Sequence, residues 1–238
     1  MQQLTKATSI IHHLYPGVVI AAAFVLLTPH VVARGYPPQL AMLLCIAVVA
    51  VPLLLLHLRL ARKKEGLAGI RELNGYTQRL PTGRLVAYSV GLVFVAFIAW
   101  GALQPVDQAL TAHLLGWLPD WYRVQDFSGY SRQAITITLI ANLALNGVLA
   151  PLVEEIYFRG YLLPRMEVWG RWAFVANALL FSLYHFWQPY IYVTLIVALL
   201  PMTWMVWKTK DLRLAILTHC LLNLIGALLT MAMLLGDR

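Results

Sequence analysis

Long uninterrupted apolar runs dominate this chain of 238 residues. Each run is about 17 to 25 residues long, which suits a helix that crosses a bilayer and exceeds what a membrane β-strand needs. Only α-helices or a closed barrel satisfy the backbone hydrogen bonds inside lipid, so runs of this length predict helices. Charged residues make up 12% of the chain, against about a quarter in a soluble domain. The sequence therefore predicts an all-α, polytopic transmembrane helical bundle.

Seven apolar segments can be drawn, which predicts about seven transmembrane helices. They cover approximately residues 16–33, 40–58, 85–103, 134–153 continuing toward 166, 172–186, 190–207 and 214–235. We treat residues 1–238 as one integral membrane domain, with three N-terminal helices in 1–103, an interfacial segment in 104–132 and the remaining helices in 133–238. The segment 104–132 is assigned to the interface because it is rich in Trp and Tyr, which favour the level of the lipid head groups. A lid over a substrate entrance is a second interpretation of this segment.

The distribution of basic residues predicts the orientation of the bundle. The chain has 18 Lys and Arg against 10 Asp and Glu, but it has no basic stripe with interleaved aromatic residues, so nucleic-acid binding is not expected. With the N-terminus in the cytoplasm, all Lys and Arg except Arg34, Arg123, Arg132 and Arg238 fall on the cytoplasmic side. This asymmetry predicts an N-in, C-out protein. The short loops favour a prokaryotic plasma membrane.

Two adjacent glutamates interrupt the fourth apolar segment, and an arginine follows four residues later. Carboxylates in a membrane segment are energetically costly and tend to be kept for a task. Glu155 and Arg159 are spaced i,i+4, so they share a helix face and can pair. Glu154 is rotated by about 100° and has no basic partner at that spacing, which makes it the better candidate for a general base that activates water. The alternative is a purely structural tie between Glu155 and Arg159, with Glu154 at the head-group level.

Two further segments carry polar groups at helical spacing. His219 and Asn223 are spaced i,i+4, so both side chains can donate to one developing oxyanion, although a hydrogen-bonded seam between helices is equally compatible. His185 follows Phe181 at the same spacing. Counted from residue 171, His185 lies about 21 Å along its helix, nearer the opposite side of the membrane than Glu154. The fifth segment must therefore begin deep, tilt strongly or be broken if His185 is to reach Glu154.

Three short motifs follow one another along these segments. They are E-E-x-x-x-R at residues 154–159, F-x-x-x-H at 181–185 and H-x-x-x-N at 219–223. Their order on successive membrane helices resembles the CAAX-protease and bacteriocin-processing family, also called the Abi family. The resemblance covers about residues 145–227 and leaves the first three helices without support.

The resemblance implies an intramembrane endopeptidase of the glutamic type. Glu154, helped by His185, would activate the attacking water, and His219 with Asn223 would form the oxyanion hole. Glu155, Arg159 and Phe181 would have supporting roles.

The implied substrate is a membrane-anchored protein or peptide in the lipid bilayer, cut at a lipidated C-terminus, a leader peptide or the end of a transmembrane segment. We expect the polar cavity to open toward the cytoplasm and to need no cofactor. A zinc enzyme with Glu154, His185 and His219 as ligands is an alternative, although the compact H-E-x-x-H spacing is absent. A non-catalytic scaffold or immunity factor that retains the pocket is another alternative. A proton-coupled carrier is less well supported, since no inverted repeat is evident.

Overall fold

Seven helices form the described part of the chain, which in this computed structural model is residues 1–236. They are α1 (Lys6–Val32), α2 (Pro38–Lys64), α3 (Thr82–Leu114), α4 (Arg132–Arg165), α5 (Ala173–Tyr184), α6 (Pro189–Thr209) and α7 (Leu212–Leu235). No β-strand occurs within residues 1–236, so the all-α prediction is confirmed. Arg238, which the orientation count places outside, lies beyond the described residues.

Six of the helices in residues 1–236 are long and apolar enough to cross a membrane, and α5 is the exception. It has 12 residues and therefore a length of only about 18 Å. A pair of short turns, interrupted by Gly170 at φ 52°, separates α5 from α4. The backbone leaves the helix at His185 (φ −79°, ψ 54°). The predicted fifth membrane segment is therefore a short helix whose C-terminal end stops inside the bundle.

The third helix is longer than the sequence predicts. It continues to Leu114 and has 33 residues, so residues 104–114 of the predicted interfacial segment are a helical extension. Pro105 lies within it; the fixed φ of proline suits a helix, although its missing N–H removes one hydrogen bond. The rest of that segment is a loop, in which Trp121 and Tyr122 pack edge-on against Phe24 of α1.

Both α2 and α4 contain a widened π-helical turn directly before a proline. In α4 the turn covers Leu145–Leu149 and precedes Pro151, and in α2 it covers Ile46–Ala50 and precedes Pro52. Proline cannot donate the i→i−4 hydrogen bond and its ring clashes with that carbonyl in a regular helix. The wider turn accommodates both effects. Single π turns are often found at functional sites. The π turn at Leu145–Leu149 of α4 lies about one turn before Glu154.

Contacts between loops define two ends of the bundle. We call one of them the basic end, because its loops carry most of the lysines and arginines. There the Leu4 N–H donates to the carbonyl of Arg165 (2.9 Å), and Arg165 pairs with Glu65 (3.0 Å). The loop after α2 also reaches this end, where the Leu80 N–H donates to Asp211 at 2.8 Å. We call the opposite end the far end; there Arg132 donates to the carbonyl of Leu235 at 2.7 Å.

Candidate active site

A polar cavity of about 120 Å³ lies inside the bundle. Its lining includes all four side chains predicted to be catalytic, namely Glu154, His185, His219 and Asn223. They come from three parts of the chain: α4, the loop after α5, and α7. A cavity of this size holds several water molecules if polar groups line it. The fold thus brings together the acid, two imidazoles and an amide that are far apart in sequence.

Glu154 is buried beside this cavity without a basic partner. Its side chain is 8% exposed, and its Oε1 accepts a hydrogen bond from the Tyr184 hydroxyl at 3.3 Å. No Lys, Arg or His within residues 1–236 forms a salt bridge with it. A carboxylate in this position is open to a water molecule in the cavity, which is the geometry that a general base requires.

Glu155 is rotated by about 100° from Glu154 around α4, and its Oε1 is bound while its buried Oε2 has no partner within residues 1–236. Arg159 donates to its Oε1 at 3.1 Å, and both side chains are 0% exposed. The Arg159 guanidinium also lies 3.9 Å from the centre of the Phe181 ring and donates weakly to Thr203 at 3.4 Å. This cation–π contact adds to the ion pair. Arg159 therefore fixes Glu155 against α5 and α6.

His219 makes a contact that the sequence does not predict. Its Nδ1 donates to Glu155 Oε1 at 2.7 Å, so the ring bridges α7 to the Glu155–Arg159 pair. With Nδ1 bonded to a carboxylate, Nε2 is the nitrogen available to a substrate. Nε2 is a donor only when the ring is protonated. The predicted oxyanion role therefore requires the imidazolium form of the ring.

His185 reaches the cavity because α5 is short. Its Nδ1 lies 2.9 Å from the carbonyl of Phe181. A carbonyl only accepts hydrogen bonds, so Nδ1 carries the proton and Nε2 of the neutral ring is an acceptor. The Phe181 and Trp187 rings hold the imidazole on two sides, with centroid distances of 4.9 Å each. The sequence analysis considered a fifth helix that begins deep, tilts strongly or is broken; α5 instead ends early, at Tyr184.

The sequence analysis missed several cavity residues, among them Gln39, Asn142, Asn146 and Tyr184. Asn223 donates to the carbonyl of Asn146 at 2.8 Å, and Gln39 donates to Asn142 at 3.0 Å. Asn142 and Asn146 are spaced i,i+4 on the same helix as Glu154, which is a signal that the sequence does contain. Tyr184 gives no comparable signal, since a single tyrosine in an apolar run is common.

The alternative of a zinc site, with Glu154, His185 and His219 as ligands, can be compared with the observed geometry. Within residues 1–236, no group of three or more His, Cys, Asp or Glu side chains is arranged to hold a metal ion. His185 and His219 each use Nδ1 for a protein contact, which leaves one nitrogen apiece. Glu154, His185 and His219 line the same cavity but do not form a zinc-ligand set, which in catalytic sites requires three protein ligands at about 2 Å from one ion.

Fold and site together define a polytopic integral membrane protein with a carboxylate–histidine site buried between its helices. Residues 136–225 match the family described as Type II CAAX prenyl endopeptidase Rce1-like. This segment contains every candidate site residue, and its match to that family confirms the predicted resemblance. No curated protein and no solved structure gives a significant match.

Proposed function

We propose that this protein is an intramembrane endopeptidase that hydrolyses a peptide bond of a membrane-associated substrate with a water activated by Glu154. The supporting observation is the convergence of Glu154, His185, His219 and Asn223 on one cavity within the bundle. Membership of the matched segment in an endopeptidase family supports the same reaction class.

In the first step, a cavity water attacks the scissile carbonyl carbon. Glu154 takes one proton from this water as the carbon–oxygen bond forms. The Nε2 acceptor of His185 orients the same water, because its Nδ1–H is held by the Phe181 carbonyl. General-base catalysis of this kind contributes about 10²–10⁴-fold to the rate.

The carbonyl oxygen then carries the negative charge of the tetrahedral intermediate. His219 Nε2–H and the Asn223 amide are the donors that stabilise it in this proposal. The Asn223 Nδ2 uses one of its two hydrogens for the carbonyl of Asn146, so the second hydrogen remains for the oxyanion. Both donors are held in place before the reaction, which is what makes such a pair effective.

In the last step, the carbon–nitrogen bond breaks and Glu154 returns its proton to the leaving amine. The second proton of the water stays on the new carboxyl group, so the products are a carboxylic acid, which ionises on release, and a free amine, and the carboxylate of Glu154 is restored. Tyr184 keeps Glu154 oriented during both proton transfers through its hydrogen bond to Oε1. The proposed mechanism routes no step through a metal ion.

The direct test compares Glu154→Gln with Glu167→Gln, which makes the same substitution on an exposed side chain. Each variant is co-expressed with membrane-anchored candidates that carry a lipidated C-terminus, a leader peptide or a transmembrane-segment end, and cleavage is read as a size shift. We expect the wild type and Glu167→Gln to cut a candidate that Glu154→Gln leaves intact while still inserting.

Full cleavage by Glu154→Gln would contradict the assignment of the base. A wild-type protein that binds a candidate but never cuts it would favour the non-catalytic scaffold. Chelation followed by metal analysis separates the zinc alternative, because loss of activity that zinc restores would require a metal.

A further inference from the structure

A second cavity, of about 510 Å³, lies between α1 and α2 at the basic end of the bundle. The two helices pack together over residues 38–50 of α2 and diverge toward the basic end. Leu56 and Leu60 line the cavity and are 52% and 57% exposed, so it opens on the outer surface of the bundle. Both helices are long and apolar enough to cross a membrane, so this surface meets lipid. We call the opening the α1–α2 groove.

The lining of the α1–α2 groove changes in character with depth. At the basic end it is polar, with Thr5 at the start of α1 and Lys64 at the end of α2. His12 and His57 each lie seven positions deeper, about 10 Å along their helices, and their rings meet at a centroid distance of 4.6 Å. Leu53 lies four positions beyond His57, about 6 Å deeper again.

This order matches the layers of a phospholipid bilayer. Each interfacial layer is about 5–8 Å thick, and the hydrocarbon lies beneath it. With Lys64 at the level of the head groups, the two histidines lie where the ester groups of a lipid begin its acyl chains. His12 Nδ1 is buried and has no hydrogen-bond partner within residues 1–236, although a buried polar atom is expected to have one. An ester carbonyl is an acceptor that a protonated imidazole nitrogen can bind.

The head-group end of the groove is positively charged. Arg62, Lys63 and Lys64 form the last turn of α2. Glu65, the acidic residue among the described lining, is neutralised by Arg165 at 3.0 Å. Lys64 forms no salt bridge within residues 1–236, so its charge is available to a ligand. Basic pockets between membrane helices favour anionic lipid head groups.

From the depth order of the lining, the unpartnered His12 nitrogen and the uncompensated lysine, we infer that the α1–α2 groove binds one phospholipid with an anionic head group. The phosphate contacts Lys64 and the Thr5 hydroxyl, an ester carbonyl accepts from His12, and an acyl chain lies along the leucines of α2. These contacts come from the two N-terminal helices, outside the segment that matches the endopeptidase family. The lipid site is therefore independent of the proposed reaction.

Native mass spectrometry of the purified chain in detergent tests this inference. Delipidated protein is titrated with dioleoylphosphatidylglycerol, which is anionic, or with dioleoylphosphatidylcholine, which is zwitterionic. Lys64→Gln removes the charge at the groove, and its control, Lys208→Gln, removes an exposed lysine from the last turn of α6. Leu56→Trp fills the groove without changing its charge. Its control is Leu229→Trp on α7, where the leucine is 53% exposed.

We expect one phosphatidylglycerol to bind the wild type severalfold more tightly than phosphatidylcholine does. Lys64→Gln should weaken this binding by about fivefold, the contribution of one lysine near an anionic lipid surface. Leu56→Trp should weaken it at least as much, because the bulkier ring occupies the path of the acyl chain. Both controls should bind as the wild type does.

Equal affinity of the wild type for the two lipids, or no bound lipid at all, overturns the inference. This comparison needs no variant, so it decides the matter even where a variant fails to fold. Binding that Leu56→Trp leaves unchanged places the lipid elsewhere and also overturns the groove as the site. Displacement of the lipid by inorganic phosphate contradicts it too, because the groove would then recognise an anion alone.

Discussion

Two clusters of histidine and tyrosine lie inside this bundle, and within residues 1–236 only one of them includes carboxylates among its hydrogen-bond partners. The site cluster contains His185, His219 and Tyr184 around Glu154 and Glu155. The N-terminal cluster contains His12, His13, Tyr15, His57 and Tyr157. In the second cluster Tyr15 lies 2.8 Å from His57, and Tyr157 donates to the carbonyl of His12 at 2.9 Å. The same residue types therefore occur in both places.

The difference between the clusters is a carboxylate that is free to act. None of the side chains of the N-terminal cluster hydrogen-bonds an Asp or Glu within residues 1–236. A cavity of about 510 Å³ lies beside this cluster, larger than the one at the site, but its glutamate, Glu65, is held by Arg165. The N-terminal cluster therefore has histidines and a cavity but lacks the unpaired carboxylate that the proposed mechanism uses as its base.

The largest effect that would distinguish the two clusters is a loss of stability, and we expect it on substitution of Arg159. Arg159→Met leaves Glu155 buried with only His219 as a partner, and breaking a buried ion pair in this way destabilises a protein by about 3–5 kcal/mol. The measurement is the free energy of unfolding in detergent. The double variant Glu155→Leu with Arg159→Met removes both charges and should recover much of the stability. A stable single variant would show that Glu155 is not held as a charged group.

The next largest effect is a decrease in kcat, and we expect it on substitution of either proposed oxyanion donor. His219→Gln and Asn223→Leu should each lower kcat by about 10²–10³-fold, since each removes one donor that acts in the transition state. KM should change little in both variants. His30→Gln, at an exposed position on α1, is the matched control for the histidine. A change confined to KM would assign these residues to substrate binding instead.

A smaller effect, on stability alone, is expected in the N-terminal cluster. His13 accepts a hydrogen bond from Asn177 at 2.9 Å and donates to the carbonyl of Ser9 at 2.7 Å. His13→Leu removes both of these buried hydrogen bonds, which should reduce the free energy of unfolding by about 1–3 kcal/mol. The kcat of the folded protein should stay at the wild-type value. His113→Leu, on an exposed side chain, controls for the substitution, and a loss of kcat in His13→Leu would mean that this cluster takes part in the reaction.

The smallest effect is expected at Tyr184. Tyr184→Phe removes one hydrogen bond to Glu154 and leaves the ring packed, so the loss of about 0.5–1.5 kcal/mol should appear as a severalfold decrease in kcat. Tyr88→Phe, at a position on α3 that is 38% exposed, should have no effect. An unchanged kcat in Tyr184→Phe would show that Glu154 is oriented without this hydroxyl.

Much of this protein follows from local sequence patterns. Runs of apolar residues long enough to span lipid require helices, because no other single segment satisfies its backbone there. The i,i+4 spacing places Glu155 beside Arg159 and His219 on the same face as Asn223. These relations depend only on neighbours along one helix, so the sequence alone determines them.

The tertiary structure decided what depends on contacts between distant segments. It placed His219 on Glu155 across 64 positions of sequence, ended α5 at the depth of Glu154, and added Asn146 and Tyr184 to the cavity. Helical periodicity predicts the face of its helix on which a side chain lies. It does not predict which neighbouring helix that face contacts, or at what depth in the membrane, so only the packing of the whole bundle fixes these features.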